Sequence, residues 1–229
     1  MAELAPREVW RQADAVCFDV DSTLIRIEGI DQLARLCGAE ERVTELTRQA
    51  MGGSLTFRES LSQRLNIIRP SRDQIEKFKS LHTPDTILTP DVQRLVKLLF
   101  QRGAEIYLVS GGFREVIEPL ADHLGIPRDH VFANKLLFTE NGEYRGFDES
   151  QPTSRSGGKP TVVAEIKKKH KTVVMIGDGA TDMEASPPAD LFIGFGGNVV
   201  REKVKEGASW FVYKFQELIS ELENDSTDS

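Results

Sequence analysis

Short runs rich in Val, Ile and Phe alternate with longer helical patterns along this chain. The short runs have the residue preferences of strands. Their alternation with helices is typical of an α/β fold, here a Rossmann-like, doubly wound parallel sheet. Four of the five runs end in Asp, Ser or glycine-rich segments, so we expect these ends to meet in one crevice. The runs are AVCFDVD (15–21), AEIYLVS (104–110), TVVMIGD (172–178), ADLFIGF (189–195) and SWFVY (209–213).

Two interruptions divide this pattern. Residues 26–88 lack any strand pattern, and their apolar residues recur at helical spacing, which predicts a helical cap inserted after the first strand. A second, small insertion near 131–148 contains Asn141-Gly142, a strong hairpin signal. We therefore predict a core domain of 1–25 and 89–229, with a β-hairpin insertion, and a cap domain of 26–88.

Composition limits the functions that this chain can have. It has 229 residues, a formal net charge of -7 and 39% hydrophobic residues, which disfavours nonspecific nucleic-acid binding. No run approaches the roughly 20 apolar residues of a membrane span, and we expect no membrane partner. Cys17 and Cys37 match no metal motif and indicate plain thiols in a reducing compartment. We expect a cytoplasmic protein, or one of an organelle stroma such as the chloroplast if a leader was removed. A homodimer is compatible with these data.

Acidic residues follow two of the predicted strands. Asp19 and Asp21 lie one residue apart, so they would share a face if the first strand continued. Asp178 ends another strand, and Asp182 follows at the start of a predicted helix. Taken alone, each acid also fits a solvated strand end or a helix N-terminus. Together the two pairs suit a hard cation with oxygen ligands, such as Mg²⁺.

Two further segments suit an anion. Ser110, Gly111 and Gly112 lie between a strand and a predicted helix, where free N–H groups attract anions. Lys159 follows two glycines and precedes another helix, and its charge suits phosphate oxygens. In isolation the first segment also fits a simple turn, and Lys159 also fits a surface lysine.

The motifs DxDST (Asp19 to Thr23), SGG, GGK and GDGATD occur in this order, and the set resembles the haloacid dehalogenase superfamily. Longer segments resemble the branch of this family that acts on O-phospho-L-serine. These segments are VCFDVDSTLIRIEGID, TRQAMGG, SGGFREVIEPLA, VFANKL, GEYRGFDE, MIGDGATDMEA and FIGFGGN.

The resemblance implies a phosphatase that forms an aspartyl-phosphate. Asp19 would be the nucleophile, and Asp21 would be the general acid and then the general base. Mg²⁺ would be held by Asp19, the backbone carbonyl of Asp21 and Asp178, and Asp182 would support that site. Ser110 and Lys159 would act with them on the phosphoryl group.

The same resemblance implies a substrate site for O-phospho-L-serine. In the inserted helices, Glu28 would bind the substrate ammonium and Arg64 its carboxylate, although by sequence alone both fit surface helix residues. The substrate-binding set is Glu28, Met51, Gly52, Arg64, Ser110, Gly111, Gly112, Lys159 and Thr181.

Two alternative functions remain at this stage. The core motifs fix the chemistry and not the substrate, so another small phosphorylated metabolite would also suit a phosphatase or phosphotransferase with these motifs. A phospho-accepting signalling module also uses a strand-end Asp, Mg²⁺ and a Lys. Asp21 and the helical insertion argue against that module, because it needs neither.

Overall fold

The computed structural model describes residues 5–50 and 55–225. Its strands are β1 Ala15–Phe18, β2 Glu105–Phe113, β3 Val131–Asn134, β4 Leu136–Phe138, β5 Tyr144–Phe147, β6 Val173–Gly177, β7 Leu191–Phe195 and β8 Trp210–Val212. Its helices are α1 Pro6–Arg11, α2 Gly29–Leu36, α3 Glu40–Ala50, α4 Phe57–Ile68, α5 Arg72–Leu81, α6 Pro84–Ile87, α7 Val92–Gln101, α8 Arg114–Leu124, α9 Gly158–Lys167, α10 Ala180–Met183, α11 Glu202–Gly207 and α12 Phe215–Asp225. None of the helices in the described ranges is long and apolar enough to cross a membrane.

Six strands form one parallel sheet in the order β3-β2-β1-β6-β7-β8. The chain builds outward from β1 in one direction and then, from β6, in the other. The strand order reverses between β1 and β6, which is where doubly wound sheets bind their ligands. The predicted fold class is therefore confirmed, and Asp19 and Asp178 follow the two strands that flank this point.

Successive residues of β1 pack on opposite faces of the sheet. Val16 and Phe18 join the apolar cluster that includes residues of α7, α8 and α12, whereas Ala15 and Cys17 join the cluster that includes residues of α9. All four side chains are buried. A parallel strand covered by helices on both sides has no polar face, which explains the continuous apolar run in the sequence.

The described part of 26–88 is helical and forms α2 to α6, as the periodicity predicts. Helix α4 begins at a capping box, in which Thr56 and Glu59 bind each other's backbone N–H groups. Apolar residues of α2 to α5 form a second cluster, which also contains Phe113 at the end of β2 and Val116 in α8. This helical insertion therefore has its own apolar interior, which continues onto the β2–α8 junction.

Two connecting segments, residues 24–26 and 87–89, join the helical insertion to the sheet. Ile25 and Leu88 form an antiparallel bridge. The Arg26 N–H donates to the Ile87 carbonyl at 2.8 Å, and the Thr89 N–H donates to the Leu24 carbonyl at 2.9 Å. The outgoing and returning chains are thus hydrogen-bonded to each other where they leave the core.

The predicted hairpin insertion near 131–148 divides into two parts. Residues 136–147 form the antiparallel pair β4–β5, with Gly142 in the left-handed conformation at φ +80°. Residues 131–134 instead form β3, which pairs with β2 as the edge of the main sheet. The hairpin is therefore shorter than the sequence pattern suggests, because the first apolar run of the segment has its partner elsewhere in the chain.

Candidate active site

Asp19 lies directly beyond β1, and its backbone N–H donates to the Ile176 carbonyl of β6 at 2.9 Å. Strand β1 ends at Phe18 and does not continue to Asp21. Asp19 and Asp21 are expected to share a face only if the strand continues, so this expectation does not apply. The chain enters an irregular turn at Val20–Leu24, in which Ser22 has a φ of +55°. This turn bends the chain after the first aspartate, so the two carboxylates lie in different surroundings.

Asp21 lies against two glycines. Its Oδ1 accepts a hydrogen bond from the Gly29 N–H at 2.8 Å. A Cβ at Gly29 would lie 3.1 Å from Oδ1, and a Cβ at Gly112 would lie 3.0 Å from Oδ2, so larger residues would crowd the carboxylate. Burial raises the pKa of Asp21 well above its ordinary value, with the charges of Glu28 and Asp19 adding to the effect. Both effects favour the protonated form of this carboxyl over the charged form.

Lys159 joins two of the predicted site acids. Its Nζ lies 2.7 Å from Asp19 Oδ1 and 2.5 Å from Asp182 Oδ1. Burial opposes its charged form, yet the ion pairs with Asp182 and Asp19 hold its pKa above the ordinary value. Burial, together with the charge of Asp182, raises the pKa of Asp19 to about 7, against the opposing effect of Lys159.

Asp178 and Asp182 have different partners. Asp178 accepts hydrogen bonds from the Thr23 hydroxyl at 3.1 Å and from Arg201 Nε at 2.8 Å. Asp182 is fully buried, and both of its oxygens are engaged, one by Lys159 and the other by the Gly179 N–H at 2.9 Å. Asp182 therefore anchors Lys159, whereas Asp178 is held by Thr23 and Arg201.

The SGG segment belongs to the end of β2. The strand includes Gly111 and Gly112, its pairing with β3 shifts register after Val109, and α8 begins two residues after Gly112. Ser110 is fully buried, and its Oγ accepts from the Gly112 N–H at 2.9 Å. The hydroxyl thus shapes the glycine turn at the edge of the site.

A cavity of about 490 Å³ lies between this edge and the helical insertion. Glu28 and Arg64 line it on the insertion side, and Thr181 of α10 lines it on the core side. The Ser22 hydroxyl donates to Glu28 Oε1 at 2.7 Å. The remaining predicted residues that line the cavity are Asp19, Asp21, Gly111, Gly112, Lys159, Asp178 and Asp182. Met51 and Gly52, also predicted for this site, lie outside the described residues.

The sequence interpretation missed several residues of the cavity, and two of them, Arg201 and Phe57, lie against predicted site residues. Arg201 pairs with Asp178 and lies 3.5 Å from Glu28, and no local pattern distinguishes it from a surface arginine. Phe57 has an apolar helical position, which indicates only helix packing. In the structure a Cβ at Gly111 would lie 2.9 Å from the Phe57 ring, so Phe57 covers the glycine segment of β2.

The charges of the cavity favour a bound cation. Six acidic side chains and four basic ones line it. Carboxylate oxygens of Asp19, Asp178 and Asp182 lie within 4.8 Å of one another, and all three residues are buried. Burial raises the pKa of Asp178, with the charge of Asp19 adding to the effect. Clustered, buried carboxylates with raised pKa values are stabilised by a cation, so these residues fit a metal ion with oxygen ligands.

The fold and this acidic strand-end site are those of a hydrolase family. The chain matches the haloacid dehalogenase-like hydrolases over residues 13–190 and belongs to that family. It is 55% identical to phosphoserine phosphatase of Rattus norvegicus over 219 residues, which are 95% of this chain and 96% of the relative. It is 50% identical to chloroplastic phosphoserine phosphatase of Arabidopsis thaliana, over 94% of this chain and 74% of that one. A solved structure of substrate-bound phosphoserine phosphatase superposes with a TM-score of 0.76 at 28% identity, covering 91% of this chain and 97% of that one.

Proposed function

We propose that this protein is a phosphoric monoester hydrolase that converts O-phospho-L-serine to L-serine and phosphate, the last step of serine synthesis. One observation carries the proposal. A single cavity joins Asp19 and Lys159, which suit a phosphoryl group, to Glu28 and Arg64, which suit the ammonium and carboxylate of an amino acid. The high identity to phosphoserine phosphatases over nearly the whole chain supports the same substrate.

In the proposed reaction Asp19 attacks phosphorus, and the bond between phosphorus and the serine oxygen breaks. Asp21 donates its proton to that oxygen, and L-serine leaves. Asp21 then takes a proton from water as the water attacks the aspartyl-phosphate, which releases phosphate and restores Asp19. The raised pKa of Asp21 suits its first role, because the carboxyl must carry a proton when substrate binds.

Mg²⁺ is the cation that we propose for the acidic cluster, with Asp19, the backbone carbonyl of Asp21 and Asp178 as its protein ligands. When bound, it neutralises charge on the phosphoryl oxygens and aligns them for attack. Asp182 supports the site through Lys159, from which its Oδ1 accepts a hydrogen bond at 2.5 Å. The Ser110–Gly112 segment and Lys159 would hold phosphoryl oxygens.

Residues 26–88 would act as a cap on the core formed by 1–25 and 89–229. Apart from Glu28 and Arg64, the cap would contribute Met51 and Gly52 to the pocket, and Thr181 would contact substrate from the core. Closure of such a cap excludes bulk water before phosphoryl transfer. The substrate is a small molecule, and we propose a cytoplasmic or organellar location.

A substrate panel tests the proposed function. Phosphate release from phosphoserine, phosphothreonine and phosphoethanolamine is measured with Mg²⁺ and after addition of EDTA. We expect turnover to be fastest with phosphoserine and to stop with EDTA. Faster turnover of another phosphate ester would assign the site to a different metabolite. A stable phosphorylated protein that does not turn over would assign it to a phospho-accepting module.

A further inference from the structure

The loop after β7, residues 196–201, contacts the place where the helical insertion leaves the core. Asn198, in the middle of this loop, directs its side-chain Nδ2 at four oxygen atoms. The Nδ2 lies 2.8 Å from Thr89 Oγ1, 3.1 Å from the Ser22 carbonyl oxygen, 3.2 Å from that of Ile25 and 3.4 Å from that of Thr23. Carbonyl oxygens only accept hydrogen bonds, so the nitrogen and not the oxygen of the carboxamide must face them.

Thr89 completes the same network. Its hydroxyl donates to the Thr23 carbonyl at 2.7 Å, which leaves its oxygen free to accept from Asn198. Thr89 is 5% exposed, so water does not easily replace either bond. The backbone of Thr89 also donates to Leu24. The network thus binds the returning connecting segment, 87–89, to the outgoing segment, 24–26.

The network also reaches the turn that carries Asp21. Ser22 is not a glycine, yet it has a φ of +55°, a conformation that surrounding contacts must hold in place. Asn198 contacts its carbonyl, and the Ser22 N–H donates to the Ile27 carbonyl at 3.1 Å. The Ser22 hydroxyl in turn donates to Glu28. A shift of Ser22 would therefore move Glu28, which faces the cavity from the helical insertion.

We propose that Asn198 is a positioning residue that clamps both connecting segments to the Asp21 turn, and so fixes how the helical insertion meets the core when substrate binds. Asn198 does not itself line the cavity among the described residues, and it acts through Thr89 and Ser22. The kinetic part of this inference rests on the proposed function. The structural part, that Asn198 clamps the two connecting segments, does not rest on the proposed function, because these hydrogen bonds exist without substrate.

The test compares Asn198→Ala and Thr89→Val with the wild-type enzyme, and uses Thr86→Val as the matched control. Thr86 lies in α6 of the same returning chain, and within the described ranges its hydroxyl bonds to Thr83 alone. We expect Asn198→Ala and Thr89→Val each to raise KM for phosphoserine about tenfold, since small displacements of positioning groups have effects of this order. The inhibition constant of inorganic phosphate should change by less than about twofold, because the core alone holds phosphate.

Three further results are expected. The double variant should be little worse than either single variant, because both remove one network. Thr89→Ser keeps the hydroxyl and should restore wild-type KM, and Thr86→Val should not change it. Hydrogen exchange at the Arg26 and Thr89 amides should become at least about tenfold faster in Asn198→Ala.

Each alternative result overturns the inference. Unchanged KM and unchanged amide exchange in Asn198→Ala would show that the loop does not clamp the segments. A lower Tm with normal kinetics would show that Asn198 contributes to stability and does not position the insertion. Equal increases in KM and in the phosphate inhibition constant would indicate damage to the core site. If Asn198→Ala does not fold, the near-isosteric Thr89→Val decides the question. If wild-type protein does not hydrolyse phosphoserine, the proposed function fails, and amide exchange still decides whether the clamp exists.

Discussion

Arg64→Ala should separate substrate recognition from phosphoryl transfer, because the proposed role of Arg64 is to bind the substrate carboxylate. Arg64 lies on α4 and lines the cavity. Burial lowers the pKa of its guanidinium, while the negative charges of Asp31, Glu28 and Asp21 oppose this effect. In the described part of the chain its hydrogen bond is from Nε to the Ser60 carbonyl at 3.3 Å. The two terminal nitrogens are thus available to bind a carboxylate bidentately.

The expected magnitude follows from the loss of a charge-assisted, partly buried pair. Such pairs contribute about 2–4 kcal/mol, which corresponds to a loss of about 30- to 1000-fold in kcat/KM for phosphoserine. KM should rise most, and kcat should fall less, because remote binding energy also positions the reacting group. Phosphoethanolamine has no carboxylate, so its kcat/KM should change by less than about threefold.

The assay is steady-state phosphate release from both substrates. Arg35→Ala is the matched control, because Arg35 lies in the same helical insertion but is exposed and paired with Glu40 at 2.6 Å. Exposed pairs of this kind contribute little because water screens them, so turnover of neither substrate should respond to the loss of this one. Equal losses on both substrates in Arg64→Ala would mean that the insertion is damaged. No loss on either would mean that Arg64 is a solvated helix residue, and in both cases its assignment to the carboxylate is wrong.

Three further predictions concern the core. Asp19→Asn should abolish phosphate release without unfolding, as judged by circular dichroism, because it removes the nucleophile and relieves repulsion within the acidic cluster; substantial residual turnover would mean that water attacks phosphorus directly. Ca²⁺ should support turnover poorly in place of Mg²⁺, since its flexible coordination would engage both Asp19 oxygens, and full activity in Ca²⁺ would refute this. Gly158→Ala should lower stability by about 1–3 kcal/mol, measured as Tm, because its Cβ would lie 2.1 Å from the Pro152 carbonyl oxygen; an unchanged Tm would contradict the predicted clash.

Strands β1 and β6 could be predicted from sequence because each is buried on both faces. The run AVCF becomes β1 and VVMIG becomes β6 with their residues fully buried. Parallel strands also bring their carboxyl ends to one edge, so the polar residues that follow them had to meet. The position of Asp19, Ser110 and Asp178 in one region is a consequence of this geometry and needs no long-range information.

Other features depend on contacts that no local pattern encodes. The turn after Asp19 contains Ser22 at φ +55°, where the sequence has no glycine to signal a left-handed residue. The run VFAN becomes β3 because β2 has a free edge, and not because of its own four residues. Arg201 reaches Asp178 across a chain separation of 23 residues. The residues next to Arg201 in sequence do not predict that contact.

The placement of Lys159 shows how the strand-end glycines serve the chemistry. An ammonium group has three N–H donors. Asp182 and Asp19 accept from two of them, and the third can meet a phosphoryl oxygen. Asp182 packs directly against Gly177, and a Cβ at residue 177 would lie 2.3 Å from the Asp182 carboxyl carbon. Asp182 can therefore reach Lys159 only because residue 177 is a glycine. In the proposed reaction, with Asp182 as a permanent anchor, the third donor of Lys159 would hold the incoming phosphoryl group beside Asp19.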